Sequence, residues 1–205
     1  MTQSAIQAGL LRALSRNDQQ DAEVDPDTEL TDDKLRAYLE HLRWPDGVRC
    51  PRCNSERVFR VAGRDQFNCG SCRYQFSVTA GSIFNHTQLP LWKWFLAVYL
   101  MCESRTGTSA NKIARPLGVS YKTAWYLCHR IRKAMAEAGS GEPGASAGVR
   151  RSITALHHGV SAKHLDRYIE EFEFRSNNRG NPLLFRDTLA RLATTGKMDY
   201  KELTA

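Results

Sequence analysis

Two C-x-x-C pairs, Cys50/Cys53 and Cys69/Cys72, are separated by fifteen residues in a chain of 205. They constrain the fold more than any other feature. Each pair can put two thiolates on one ion from a tight turn. A hairpin between the pairs then brings the second turn back to complete a tetrahedron. Four thiolates leave no position open for water, so the expected metal is a single structural Zn²⁺. The competing readings are two disulfides or four unrelated core thiols. The paired spacing is hard to reach by accident, and six cysteines behind an N-terminus without a secretory pattern point to reduced thiols in the cytoplasm. About thirty residues cannot build a core alone, so metal binding is expected to supply most of their folding free energy, on the order of 10–16 kcal/mol. Cys102 and Cys128 lie on apolar helical faces and read as core thiols.

The texture around the cysteines changes along the chain. Residues 1–30 read as a short amphipathic stretch running into a flexible acidic segment. Thr31 then caps a helix through about Arg43, with Leu35, Tyr38, Leu39 and Leu42 on one face, and Trp44-Pro45-Asp46-Gly47 stops it. Helix plus ribbon thus span 31–80. Within them, alternating runs at Arg57–Val61, Gln66–Asn68 and Tyr74–Val78 read as a small three-stranded β unit.

From 88 to 137 the period is helical. Leu91–Glu103 forms a first helix, Ser109 caps a second, Gly118 breaks it, and Ser120 caps a third with Ala124, Leu127, Cys128 and Ile131 inward. Pro116 falls late in the second helix, where it tends to end or kink it. Residues 138–152 read as a flexible Gly/Ser linker. Residues 153–205 carry two more helices, one capped by Ser161 and one opened by Pro182, expected as a separate piece beyond the linker. The fold class is therefore mainly α with a small zinc β-ribbon: ribbon, then helix-turn-helix, then C-terminal helices.

Charge indicates the partner. The chain carries 29 Lys and Arg against 22 Asp and Glu, a net +7, and a basic balance favours a polyanion. Between Ser104 and Lys133 there are seven basic residues and no acidic one. Helix, glycine turn and capped second helix is helix-turn-helix grammar, which helical hairpins share. The duplex-facing set is expected to be Lys112, Arg115, Ser120, Tyr121, Lys122, Thr123, Tyr126, His129, Arg130 and Lys133. Trp125 reads as core. The ribbon adds Arg49, Arg52, Arg57, Arg60, Arg64 and Arg73, either DNA-facing or simply a solvated face. A membrane role is not expected, because the longest apolar stretch, Leu89–Cys102, is interrupted by Lys93 and is too short to span a bilayer.

These residues also carry a resemblance. YLEHLRWPDGVRCPRCNS, QFNCGSCRYQFSVTAGSIF, LPLWKWFLAVYLM and ANKIARPLGVSYKTAWYLCHRIRKAM, all between Tyr38 and Met135, resemble the N-terminal half of zinc-ribbon insertion-sequence transposases of the DDE type. HHGVSAKHLDRYIEEFEFRSNNR, His157–Arg179, is similar to the end of that family's catalytic domain. The resemblance implies a ribonuclease-H-like domain with three metal-binding residues between the two stretches. Here twenty residues separate Ala136 from His157, too few for its five-stranded sheet. No catalytic residue is therefore assigned. Asp166, Glu170 and Glu173 share a helix but lack the strand-borne carboxylates of two-metal catalysis, and His157, His158 and His164 match no strong ligand pattern.

The resemblance implies a DNA-binding protein of transposition, recognising the terminal repeats of an element in double-stranded DNA and acting at the nucleoid. It is expected to be catalytically inactive, and to work as a homodimer or with a full-length transposase. The alternatives are a subunit that still cuts DNA, and a zinc-ribbon interaction or transcriptional-regulator module.

Overall fold

The computed structural model describes residues 3–15, 31–104, 107–136, 162–198 and 202. The acidic stretch 16–30, the linker 138–152, the Ser161 cap, His157 and His158 lie outside the described residues. Seven helices are described: α1 (Gln3–Ser15), α2 (Asp32–Arg43), α3 (Leu91–Glu103), α4 (Ala110–Leu117), α5 (Tyr121–Ala136), α6 (Ala162–Asn177) and α7 (Leu184–Thr194). Three strands, β1 (Val58–Arg60), β2 (Phe67–Cys69) and β3 (Gln75–Phe76), form one antiparallel sheet in the order β1-β2-β3.

Helix α3 is the central post. Its sequence is apolar nearly all round, as expected of a helix enclosed by neighbours, and Trp94, Phe95, Ala97, Val98 and Met101 are fully enclosed. Helices α1, α2, α4, α5 and α7 all pack on it. Leu35 and Leu39 of α2 are buried, and Phe95 of α3 meets Phe185 of α7 edge-on at 6.3 Å. The sequence rhythm of α2, α3, α4 and α5 is thus realised, with Ala124, Leu127, Cys128 and Ile131 inward in α5. Helix α7 begins at Leu184, two residues beyond Pro182.

The C-terminal helices do not form the separate piece expected from the linker. Helix α6 packs along α5, and α7 packs on α2, α3 and α5. The segment after the ribbon, which had no assigned role, explains part of this. Ile83 and Phe84 are fully buried. The Ile83 N–H donates to Leu192 O at 3.4 Å, and Ser82 bridges to Gly196. The chain leaving the ribbon is therefore a wall of the helical core, against which α7 closes.

Candidate metal centre and nucleic-acid interface

The two cysteine pairs sit on matching turns. The Asn54 N–H donates to Cys50 O at 2.8 Å and the Arg73 N–H to Cys69 O at 2.9 Å. Asn54 and Arg73, each directly after the second cysteine of its pair, both take a left-handed backbone, φ 57° and 58°. These turns aim all four Sγ atoms at one point, within 4.8 Å of one another. Cys50 lies 3.6 Å from Cys72 and Cys53 lies 3.5 Å from Cys69. A tetrahedron with Zn–S bonds of about 2.3 Å has edges of about 3.8 Å, so the sulfurs fit a zinc ion. They are too far apart for S–S bonds of about 2.05 Å, and the cysteines are free thiols. The Cys72 and Ser71 backbone N–H groups hold the Cys69 thiol below the usual range. Four thiolates this close repel one another, and a divalent cation removes that conflict. Beneath the site, Phe67 and Phe76 pack with Trp44, which meets them edge-on at 5.7 and 6.0 Å. Arg43 donates to Val78 O and, at 2.8 Å, to Ala80 O, fastening α2 to the turn that leaves the ribbon.

Cys102 and Cys128 are far from this chemistry. Burial pushes their thiols up to about 12 and about 11, which keeps them protonated and inert.

The α4–α5 pair is built from two caps and a turn. Ser109 Oγ accepts from the Lys112 N–H at 3.4 Å. Gly118 ends α4 in the left-handed region, φ 58°. Ser120 Oγ accepts from the Thr123 N–H at 3.2 Å and meets Thr123 Oγ1 at 2.9 Å. Pro116 is accommodated one residue before the helix end. Lys112, Arg115, Ser120, Tyr121 and Lys122 are exposed, and Tyr121 is one of the two large exposed hydrophobics among the described residues, at 55%.

The far half of the expected DNA-facing stripe is elsewhere. His129 is 0% exposed and Arg130 5%. His129 is enclosed by Trp125 at 4.2 Å, His164 at 4.9 Å and Tyr168 at 5.7 Å, ring centre to ring centre. Arg130 donates to Asn85 O at 3.0 Å and lies over the rings of Trp94 and Tyr126. Tyr126 donates its hydroxyl to Met198 O at 2.8 Å, and Lys133 donates to Lys197 O at 3.3 Å. The periodicity of α5 indicates one buried face. The helix has more, because α6 covers the side that carries His129 and Arg132, while Asn85, Trp94 and the segment at Lys197–Met198 meet Arg130, Tyr126 and Lys133. Its polar residues there meet protein partners.

The residues that sequence reasoning missed are those of the face that α6 covers. Arg132 is fully buried, and its Nε donates to Glu171 Oε2 of α6 at 2.6 Å while its Nη2 donates to Thr108 O at 3.2 Å. Its guanidinium stacks over Tyr168, 3.8 Å from the ring centre. Arg175 pairs with the other Glu171 oxygen at 3.2 Å and donates to Ser104 O. Among the described residues, the four cysteines are the one group of three or more metal-ligating side chains close enough to share an ion. Asp166, Glu170 and Glu173 do not converge.

Residues 30–75, the helix and ribbon, match a transposase zinc-ribbon domain of the IS1595 type. Residues 144–177, which end with α6, match an ISXO2-like transposase domain. The chain is similar to IS1595-type transposases. It is also 36% identical over 100 residues to an uncharacterized protein in transposable element ISH50 of Halobacterium salinarum, across 47% of this chain and 33% of that relative. The chain therefore spans about a third of the length of the curated relative it matches. No solved structure matches it. Helix α6, which ends the second match, covers α5, a helix that lies outside both matched stretches. Among the described residues, no helix is long and apolar enough to cross a membrane.

Proposed function

We propose that the chain is a non-cutting DNA-binding protein of transposition, which holds duplex DNA, and element terminal repeats in particular, through a helix-turn-helix made by α4 and α5. The observation that carries this reading is the exposed first turn of α5. Ser120, Tyr121 and Lys122 stand clear of the core, Thr123 is half-buried beside them, and Lys112 and Arg115 of α4 flank them. No acidic residue lies between Ser104 and Lys133 to oppose a phosphate. The leading turn of such a helix meets base edges, and flanking cations hold the backbone. The similarity to transposases supports DNA as the partner. A nucleoid location follows from the same reading, as does action alongside a second copy or a full-length transposase.

The absence of cutting is supported by the fate of the α6 acids. Glu171 is occupied by Arg132 and Arg175, and its neighbours do not converge on a metal position. Fluorescence anisotropy with duplexes carrying the element ends, against scrambled duplexes, tests the reading. Tighter binding of the end sequences is expected, with no nicking in Mg²⁺ or Mn²⁺. Equal or absent binding overturns the first part, and metal-dependent cleavage overturns the second.

A further inference from the structure

The ribbon sheet has two faces, and only one is used by the fold. The register pairs Phe59 with Asn68 and Asn68 with Gln75. Side chains alternate across a strand. Phe67 and Phe76 therefore point to the buried side, and Phe59, Asn68 and Gln75 form a row across the other. Phe59 is 61% exposed, more than any other large apolar residue described. An isolated exposed aromatic is ordinary, but this one is held in place. Its ring lies against the bare backbone of Gly70, inside the second metal turn, where a Cβ would come within 2.9 Å of it. The Gly70 N–H donates to Arg57 O at 2.6 Å, tying the same turn to β1. The second metal turn thus holds one edge of the ring while most of the side chain stays exposed.

The unit that carries the row is cationic. Residues 48–76 carry six arginines against Glu56 and Asp65. A zinc ion with four thiolates adds a net −2, which leaves the unit positive. Arg49 pairs with Glu56, Arg60 with Glu40, and Asp65 with Arg36. Arg57, Arg64 and Arg73 are exposed. Gln75 is exposed in the row with Phe59, whereas Asn68 is half-buried and its Oδ1 is shielded from solvent. An exposed aromatic, an exposed amide and unburied arginines on one small unit suit one kind of ligand: a nucleobase displayed singly, its face on the ring, its edge on Gln75 and its flanking phosphates on arginines such as Arg57.

We propose that this outer ribbon face is a second nucleic-acid site, which takes unpaired bases of single-stranded DNA on Phe59. It rests on the reading of the chain as DNA-binding, and adds to the duplex grip of α4 and α5 a separate hold on unpaired strand.

The zinc-loaded full chain is titrated with fluorescein-labelled oligothymidylate and with a duplex of equal length. Phe59→Ala is expected to weaken oligothymidylate binding on the order of 10-fold, because stacking is lost. The salt slope should stay unchanged, since no charge is removed, and duplex binding should stay within about twofold. Phe59→Trp should retain the affinity. Arg57→Ala should weaken the same binding and flatten its salt slope by about 0.7. Zinc content and circular dichroism confirm that each variant is folded; a Phe59→Ala chain that loses its zinc is replaced by Phe59→Ser in the comparison. Unchanged oligothymidylate affinity in the alanine variant overturns the proposal. So does a wild-type chain that binds duplex but no oligothymidylate, and that outcome leaves the helix-turn-helix reading intact. Binding to neither DNA defeats that reading as well. Loss of self-association in Phe59→Ala, with DNA affinity intact, makes the face a protein contact and also overturns the proposal.

Discussion

Arg132 of α5 and Glu171 of α6 form an ion pair at 2.6 Å with both side chains removed from solvent. The pair joins α5 to α6 through the interior, and Arg175 takes the second carboxylate oxygen. Removing one member of such a network strands an opposite charge in a poor solvent, whereas replacing it with packed apolar groups is nearly neutral.

Glu171→Ala is therefore expected to destabilise the chain by about 3–5 kcal/mol, read as a lower urea midpoint. An Arg132→Met/Glu171→Leu/Arg175→Met triple variant should lose much less. Equal losses in both would mean that packing, not stranded charge, sets the cost.

Zinc should be present at one ion per chain. Chelation, or Cys69→Ser, should unfold the ribbon while α3–α5 keep much of their helicity, because the ribbon and the helical bundle bury separate clusters. Cys128→Ala should leave zinc content unchanged. A ribbon whose amide protection survives chelation would rule out metal as its main support.

His129 gives a pH signature. Burial, with Arg132 and His164 nearby, lowers its pKa from 6.5 to about 3. In the unfolded chain the ring takes up a proton below about 6.5, and in the folded chain only near 3. The unfolded state thus binds more protons between these values, so stability falls as pH drops through that window, by up to about 1.4 kcal/mol per pH unit. His129→Phe should flatten that part of the profile relative to wild type in urea melts at pH 4 to 7. Parallel profiles would show that His129 is solvated.

DNA affinity and stability should separate along α5. If about three cations of the pair, Lys112, Arg115 and Lys122, meet phosphates, the salt slope is about −2.7. Lys112→Ala/Lys122→Ala should reduce it by about 1.8 with no change in melting temperature. Arg130→Ala should instead lower stability by about 1–3 kcal/mol, since it leaves Asn85 O without that donor and removes a cation from two aromatic faces. A double lysine variant with wild-type slope would move the DNA face away from α4 and α5.

The chain's local chemistry was readable wherever function or structure depends on neighbours in sequence. Spacing alone identified Cys50, Cys53, Cys69 and Cys72, because two ligands from one tight turn must lie three residues apart. Ser109, Gly118 and Ser120 marked their helix ends, because caps satisfy backbone groups within a turn. The apolar period gave the inner face of α5, through Ala124, Leu127, Cys128 and Ile131. It gave nothing of the opposite face, where His129, Arg130 and Arg132 look in sequence like any solvated basic stripe. The docking of α6, some forty residues further on, makes His129 and Arg132 interior, and Asn85 and Trp94 enclose Arg130. A charged side chain is buried or exposed according to whether a partner such as Glu171 arrives in space, and no local pattern records that arrival. The same holds for Phe59, whose outward pose depends on a glycine that the metal turn brings beneath it.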